Sequence, residues 1–174
     1  MKILTVITIV FSLYTTSIYT KQFTTLKGTH ISMSQYQGKK ILVVNIASNS
    51  EYAAVQLPQL EQLYQQYKDS VVVIGFPSND FGNESRTDDD LKFLLRNTYN
   101  INFPISVITG VKDSTSDTHA IYQWLQRTGE NGNMNVKVKR DFQKYLIDKD
   151  GTIIGVFAAS TNPLDTAITN AITQ

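Results

Sequence analysis

One serine stands where a predicted strand gives way to a predicted helix. The nearly continuous apolar run 41–47 is typical of a strand covered on both faces, and it continues through Ser48-Asn49-Ser50-Glu51 into a helical pattern. A turn of this kind usually exposes one reactive side chain, which makes Ser50 a candidate nucleophile. A serine hydroxyl is a poor nucleophile without a partner base, and the neighbouring sequence supplies none. The structural alternative is that Ser50 caps backbone N–H groups of the helix.

The absence of cysteine excludes several kinds of reaction and metal site. The chain contains no cysteine, so every mechanism that uses a thiol is excluded, as are zinc sites built on cysteine. The two histidines, His30 and His119, cannot supply much in their place. The run Asp88-Asp89-Asp90 is better interpreted as acids at a helix start than as metal ligands. We therefore expect neither a cofactor nor a metal.

Length and charge indicate one globular domain. The chain has 174 residues, of which 41% are hydrophobic and 18% charged, and its formal net charge is +1. A nucleic-acid-binding domain would carry a strongly basic face, so no nucleic acid partner is expected. We found no internal repeat and no linker.

The first 20 residues are predicted to be a secretory signal. Lys2 is followed by the mostly apolar run 3–13 and then by small and polar residues, with cleavage after Ser17 or Thr20. The apolar run is shorter than the roughly 20 residues that span a membrane. The alternative is that it forms a first strand of the domain. If residues 1–20 are a secretory signal, residues 21–174 are predicted to form a secreted or periplasmic domain that has no membrane span.

The elements that would position Ser50 follow a strand, helix, strand order. Strands at 41–47 and 71–76 flank a helix marked by Leu60, Leu63, Tyr64 and Tyr67, and this order favours a parallel pair. The other predicted elements are a hairpin within 23–36, a helix capped by Thr87, a strand opening at 103–105, a helix at 120–125, a polar loop at 128–135, a hairpin around 148–151 and a last helix that starts at Asn162-Pro163.

Three strings along the chain resemble motifs of the glutathione peroxidase family. The family's nucleophile motif, roughly Asn-Val-Ala-Ser-x-Cys-Gly, corresponds to residues 45–51. Its second motif, Phe-Pro-Cys-Asn-Gln-Phe-Gly, corresponds to Phe76-Pro77-Ser78-Asn79-Asp80-Phe81-Gly82. Its third, Lys-Trp-Asn-Phe-x-Lys-Phe-Leu, corresponds to Lys139-Arg140-Asp141-Phe142-Gln143-Lys144-Tyr145-Leu146. The segments stand in family order between about residues 23 and 157.

The resemblance implies a fold and a site. The fold is a thioredoxin-like three-layer α/β/α sandwich with a central mixed sheet and an N-terminal β-hairpin. The family's catalytic Cys or Sec, Gln, Trp and Asn correspond to Ser50, Asp80, Arg140 and Asp141, so all four positions are substituted. The resemblance therefore implies an exported relative of peroxide-reducing enzymes in the oxidative stress response that is itself inactive. The alternatives are a non-catalytic binding module and a hydrolase in which a histidine reaches Ser50.

The substitutions also change the charge of the implied site. If the three motifs converge, we expect Arg140 to lie between Asp80 and Asp141 and to form an ion pair with either of them. Together with Glu51 the local charge sums to −2. Such a surface favours a neutral or cationic small molecule or protein, and a thiol reductant of the family's type is not expected. The partner itself stays open.

Overall fold

A four-stranded mixed sheet forms the centre of the protein. The computed structural model describes residues 15–114 and 116–174. The strands are β1 (Gln22–Thr24), β2 (His30–Ser32), β3 (Lys40–Ile46), β4 (Val71–Pro77), β5 (Lys144–Ile147) and β6 (Ile153–Phe157). The central sheet has the order β4-β3-β5-β6, with β3 parallel to β4 and the other pairs antiparallel, while β1 and β2 form a separate hairpin. The predicted parallel pair and N-terminal hairpin are both confirmed.

Helices connect and cover these strands. They are α1 (Ala53–Tyr67), α2 (Asp88–Asn97), α3 (Ala120–Gln126), α4 (Thr128–Asn131) and α5 (Thr166–Thr173), with 3-10 turns at Ile18–Thr20 and Met33–Tyr36. The predicted cap of α2 is confirmed, because the Thr87 hydroxyl accepts the Asp90 N–H over 3.2 Å. The three acids of its first turn face the positive end of the helix dipole.

Two apolar cores lie on the two faces of the sheet. Successive strand residues point to opposite faces, so Leu42 and Val44 of β3 belong to one core while Ile41 and Val43 belong to the other. The first core packs against α1, α2 and α5, and the second packs against α3, the hairpin and the N-terminal 3-10 turn. Full burial of each such side chain contributes about 1.5–3 kcal/mol. The architecture is the predicted three-layer α/β/α sandwich.

The prediction of a strand that opens at Phe103–Ile105 is wrong. Pro104 has no N–H to donate, and the segment forms only isolated bridges, from Ile105 to Gly75 and from Ser106 to Thr25. It lies very close to β4, since a Cβ on Gly75 would stand 2.6 Å from the Ile105 side chain. The segment therefore links the edge of the sheet to the hairpin without extending the sheet.

Two further boundaries differ from the prediction. The polar stretch predicted as a loop contains the one-turn helix α4, which ends at Gly132 in the left-handed conformation with φ of 72°. Helix α5 begins at Thr166 instead of Asn162, because the Asn162 N–H donates to the Asp165 side chain and closes a turn first. Asp and Asn favour such local turns over helix interiors.

The segment before β1 is attached to the body of the domain. The Trp124 indole donates to the Thr16 carbonyl over 2.6 Å, the Tyr19 hydroxyl donates to the Lys149 carbonyl over 2.8 Å, and Ile18 is fully buried. Residues 1–14, most of the predicted signal, lie outside the described residues. A cut after Thr20 would remove Ile18 from the core, whereas a cut before Thr16 would leave these contacts intact. Within the described ranges, no helix has the length and apolar character needed to cross a membrane.

One lysine is buried inside the sandwich. Lys144 of β5 is 0% exposed, and its Nζ donates to the carbonyls of Phe142 and Thr161, each over 2.7 Å, and of Ala159 over 3.4 Å. Burial lowers the pKa of Lys144 to about 7, against a smaller opposing effect of Asp165. The side chain joins the segment before β5 to the loop after β6.

Candidate functional site

Ser50 lies in the turn between β3 and α1, as the sequence predicts. Its N–H donates to the Ala47 carbonyl over 3.2 Å, and its carbonyl accepts the Ala53 N–H over 3.0 Å. Its hydroxyl accepts the Tyr52 N–H over a long 3.5 Å, and the residue is only 9% exposed. These contacts are those of a residue that closes a turn at a helix start.

Neither histidine lies beside this hydroxyl as a base. His30 bonds to the Thr24 hydroxyl over 3.0 Å at the hairpin, and His119 Nδ1 accepts the Ile121 N–H over 3.2 Å as the cap of α3. The His119 ring lies 5.2 Å from the Phe76 ring, tilted by 57° to it, and burial lowers the pKa of His119. The structure gives the hydrolase alternative no support.

Asp80 is held by the backbone of a neighbouring turn. Its Oδ2 accepts the N–H groups of Val111 and Lys112 over 2.6 and 2.7 Å. The Lys112 ammonium also donates to the Asp80 carbonyl over 3.1 Å. The side chain therefore ties the loop after β4 to residues 111–112, which agrees with a structural role better than with that of a general acid.

Arg140 pairs with Glu51 instead of the two aspartates. Its Nη2 donates to Glu51 Oε1 over 2.6 Å, and its guanidinium lies 5.3 Å from the centre of the Tyr52 ring. The expectation that Arg140 forms an ion pair with Asp80 or Asp141 is wrong, because the Asp80 carboxylate is directed towards residues 111–112 and Arg140 forms its ion pair with Glu51. Both members of the pair are more than half exposed, so it contributes roughly 0–1 kcal/mol.

Asp141 is the most buried member of the implied site. It is 2% exposed, its Oδ2 accepts the Asn83 amide over 2.6 Å, and its Oδ1 is buried without a hydrogen-bond partner among the described residues. Burial raises the pKa of Asp141, although the Asn83 bond and Arg140 act in the other direction. The next residue, Phe142, has a φ of 62°, and its N–H donates to the Asn45 carbonyl over 2.7 Å. This contact aligns the third motif with the end of β3.

Sequence reasoning missed a buried carboxylate in the same region. Glu84 is 2% exposed, and it accepts the Ser48 N–H and the Ser48 hydroxyl, each over 2.8 Å. Arg86 also donates to the Ser48 hydroxyl, and its guanidinium lies 3.9 Å from Glu84. A single acid in a polar loop shows no periodicity that would have revealed its burial. Glu84 joins the loop after β4 to the turn that carries Ser50.

The motifs thus converge on the C-terminal end of β3, with one qualification. Contacts link the Ser50 turn to Asn83 and Glu84, which follow the second motif, and to Arg140 of the third. Asn83 in turn donates to Asp141 of the third motif. The Asp80 side chain is directed elsewhere. Within residues 15–114 and 116–174, no three acidic or histidine side chains cluster closely enough to hold a metal ion.

Comparisons with known proteins agree with this arrangement. A sequence model of the family described as glutathione peroxidase matches residues 18–126. A glutathione peroxidase of Lactococcus lactis subsp. cremoris is 34% identical over 140 residues, which are 79% of this chain and 87% of that protein. The glutathione peroxidase-like peroxiredoxin 2 of Saccharomyces cerevisiae is 33% identical over 151 residues, covering 86% of this chain and 91% of that one.

Solved structures show the same fold. The crystal structure of Trgpx in its apo form superposes with a TM-score of 0.67 at 32% identity, covering 91% of this chain and 97% of that chain. A thiol:disulfide interchange protein of the thioredoxin family from Chlorobium tepidum superposes with a TM-score of 0.65 at 17% identity, covering 91% and 97%. The second likeness concerns the fold alone, which is thioredoxin-like as predicted.

Proposed function

Because the chain belongs to the glutathione peroxidase family, we propose that it is an exported member without peroxidase activity. One observation carries the proposal: the chain contains no cysteine, so the residue that corresponds by motif to the family's nucleophile is Ser50, whose contacts are those of a turn-closing residue. Peroxide reduction needs a nucleophile that ionises near neutral pH and passes through a sulfenic acid that can be reduced again. A serine oxygen has no such oxidation step.

The other site positions support the same proposal. The Asp80 carboxylate accepts hydrogen bonds from two backbone N–H groups. Arg140 forms an ion pair with Glu51, and its guanidinium lies over the Tyr52 ring. These contacts stabilise loops and leave Asp80 and Arg140 no arrangement that would activate a peroxide. Export is supported by the positively charged start and short apolar run of the first 20 residues.

A peroxidase assay tests the inactivity. Purified protein is mixed with hydrogen peroxide or a lipid hydroperoxide, with thioredoxin or glutathione as the reductant, and the Lactococcus lactis relative serves as the positive control. We expect no turnover above a heat-inactivated sample. Sustained turnover by metal-free protein would refute the proposal. Fractionation of cells that express the full chain, with mass spectrometry of the product, tests export and locates the cut.

Two buried oxygens favour a binding function as the second candidate. Asn45 Oδ1 and Asp141 Oδ1 are both buried near the Ser50 turn without a hydrogen-bond partner among the described residues. Buried acceptors are usually satisfied by protein, water or a ligand. With Glu51 and Asp141 nearby, an anionic peptide such as glutathione should be repelled, so calorimetric titration with millimolar glutathione should show no heat of binding. Specific binding that is lost in Arg140→Ala would contradict this charge argument.

A further inference from the structure

A cavity of about 250 Å³ lies between the hairpin, α2 and the segment that precedes Ser106. It shares no lining residue with the Ser50 site. Six apolar side chains form its walls: Leu26, Ile31, Leu95, Ile101, Phe103 and Ile105. Ile101, Phe103 and Leu95 also belong to the first core, so the floor of the cavity is rigid.

Hydrogen bonds fix the walls of the cavity to one another. The Leu26 N–H donates to the Ile105 carbonyl over 3.0 Å, and the Val107 N–H donates to the Thr24 carbonyl over 2.9 Å, which fixes the hairpin against this segment. On the opposite side, Arg96 Nη1 donates to the Ile101 carbonyl over 2.6 Å. The cavity is therefore a built feature of three anchored elements and not a gap beside a loose loop.

The polar rim of the cavity is cationic. Lys27, Lys92 and Arg96 line it, and no acidic residue does. Lys92 is neutralised by Asp89 at 2.6 Å, but Lys27 forms no ion pair or hydrogen bond with another described residue. Arg96 uses Nη1 for the Ile101 carbonyl and Asn102, which leaves Nε and Nη2 for a ligand.

Besides Asp89, a second acid contacts a residue of this rim. Glu61 accepts the backbone and side-chain N–H groups of Asn102 over 2.7 and 3.0 Å. Both of its oxygens are thereby engaged, and Glu61 does not line the cavity. Lys27 and Arg96 remain the charges that meet a bound molecule.

We propose that this cavity binds a medium-chain carboxylate. An apolar cavity of about 150 Å³ accommodates benzene, so one of this size holds roughly ten non-hydrogen atoms. Octanoate has that size, and its chain would fill the apolar walls while its carboxylate meets Lys27 and Arg96. Arginine and lysine form strong charge-assisted hydrogen bonds with carboxylates, and a mostly apolar pocket with a few polar groups at its mouth is the usual form of a small-molecule site.

Calorimetry and amide chemical shifts of the purified protein test the proposal with octanoate as the probe. We expect saturable octanoate binding, with shift changes concentrated at 25–31 and 95–105. Arg96→Gln and Lys27→Gln should each weaken binding by about fivefold or more, since each removes one charge-assisted contact at a partly exposed rim. Lys149→Gln, which removes an exposed positive charge outside the cavity, should leave the affinity unchanged.

Two comparisons separate the site from unspecific binding. Thr29→Trp places a large ring at an exposed lining position without altering the core and should abolish binding. Octylamine, with the same chain and the opposite charge, should bind much more weakly than octanoate. Three results would each overturn the proposal: no octanoate binding to the unaltered protein, an affinity in both rim variants equal to that of the unaltered protein, or a preference for octylamine. None of these outcomes depends on peroxidase activity.

Discussion

Lys144 makes the free energy of unfolding sensitive to pH. Burial lowers its pKa from the ordinary 10.5 to about 7 in the folded protein. Between these two values the unfolded chain binds more protons than the folded one, so the free energy of unfolding rises with pH. Below pH 7 both states are protonated and this contribution no longer changes. Integration from pH 7 to pH 9 gives a gain of about 2 kcal/mol.

Urea unfolding at pH 7, 8 and 9 measures this gain against Lys144→Met. The variant cannot titrate, so the difference in unfolding free energy between wild type and variant should grow by about 2 kcal/mol across the series. Buried tyrosines do not disturb the comparison, because Tyr122 and Tyr145 have pKa values raised above their ordinary range. Lys149→Met, which alters an exposed lysine, serves as the control and should show no such trend.

A constant difference would refute the reasoning. It would mean that the three carbonyls that accept from Nζ, together with Asp165, keep the ammonium charged inside the fold. In that case hydrogen bonding to the charged form outweighs the desolvation of the lysine.

Three further predictions concern the site and the N-terminus. Ser50→Cys should give a thiol that peroxide oxidises once without sustained turnover, as followed by thiol titration, because Glu51 and Asp141 disfavour the thiolate; rapid turnover would contradict this. Since burial raises the pKa of Asp141, the folded state loses stability as pH rises through that pKa, so Asp141→Asn should raise the Tm at pH 7 more than at pH 4; an equal effect at both would count against it. Ile18→Ala should cost about 2–5 kcal/mol in chemical denaturation, whereas the half-exposed Val55→Ala should cost little; a small loss at Ile18 would mean that the segment is dispensable.

The sheet was predictable because its strands carry a strong local signal. The continuous apolar runs of β3 and β4 predict buried strands whatever their tertiary surroundings are. Because a helix connects them, the two strands are expected to be parallel, as they are. The segment at Phe103–Ile105 is also apolar, but it is only three residues long. Its pairing is decided by Pro104 and by the close approach to Gly75, which are tertiary facts.

The sequence predicted which segments meet at the end of β3, but not the contacts that their side chains make. Family resemblance identified Ser50, Arg140 and Asp141, and the structure brings their segments together at the end of β3. Arg140 nevertheless pairs with Glu51, because side-chain direction and loop geometry select among several nearby acids. Glu84 could not be found at all, since its burial depends on a partner 36 residues away.

The contacts of Asp80 have an evolutionary consequence. Val111 is fully buried, and its N–H relies on the Asp80 carboxylate, as does the N–H of Lys112. Asp80→Gln would replace this acceptor by a neutral carbonyl on a side chain one methylene longer. An N–H left without its acceptor costs about 1–3 kcal/mol. A lineage in which position 80 became glutamine would therefore lose stability unless the turn at 111–112 changed first, so we expect changes at these two places to occur together.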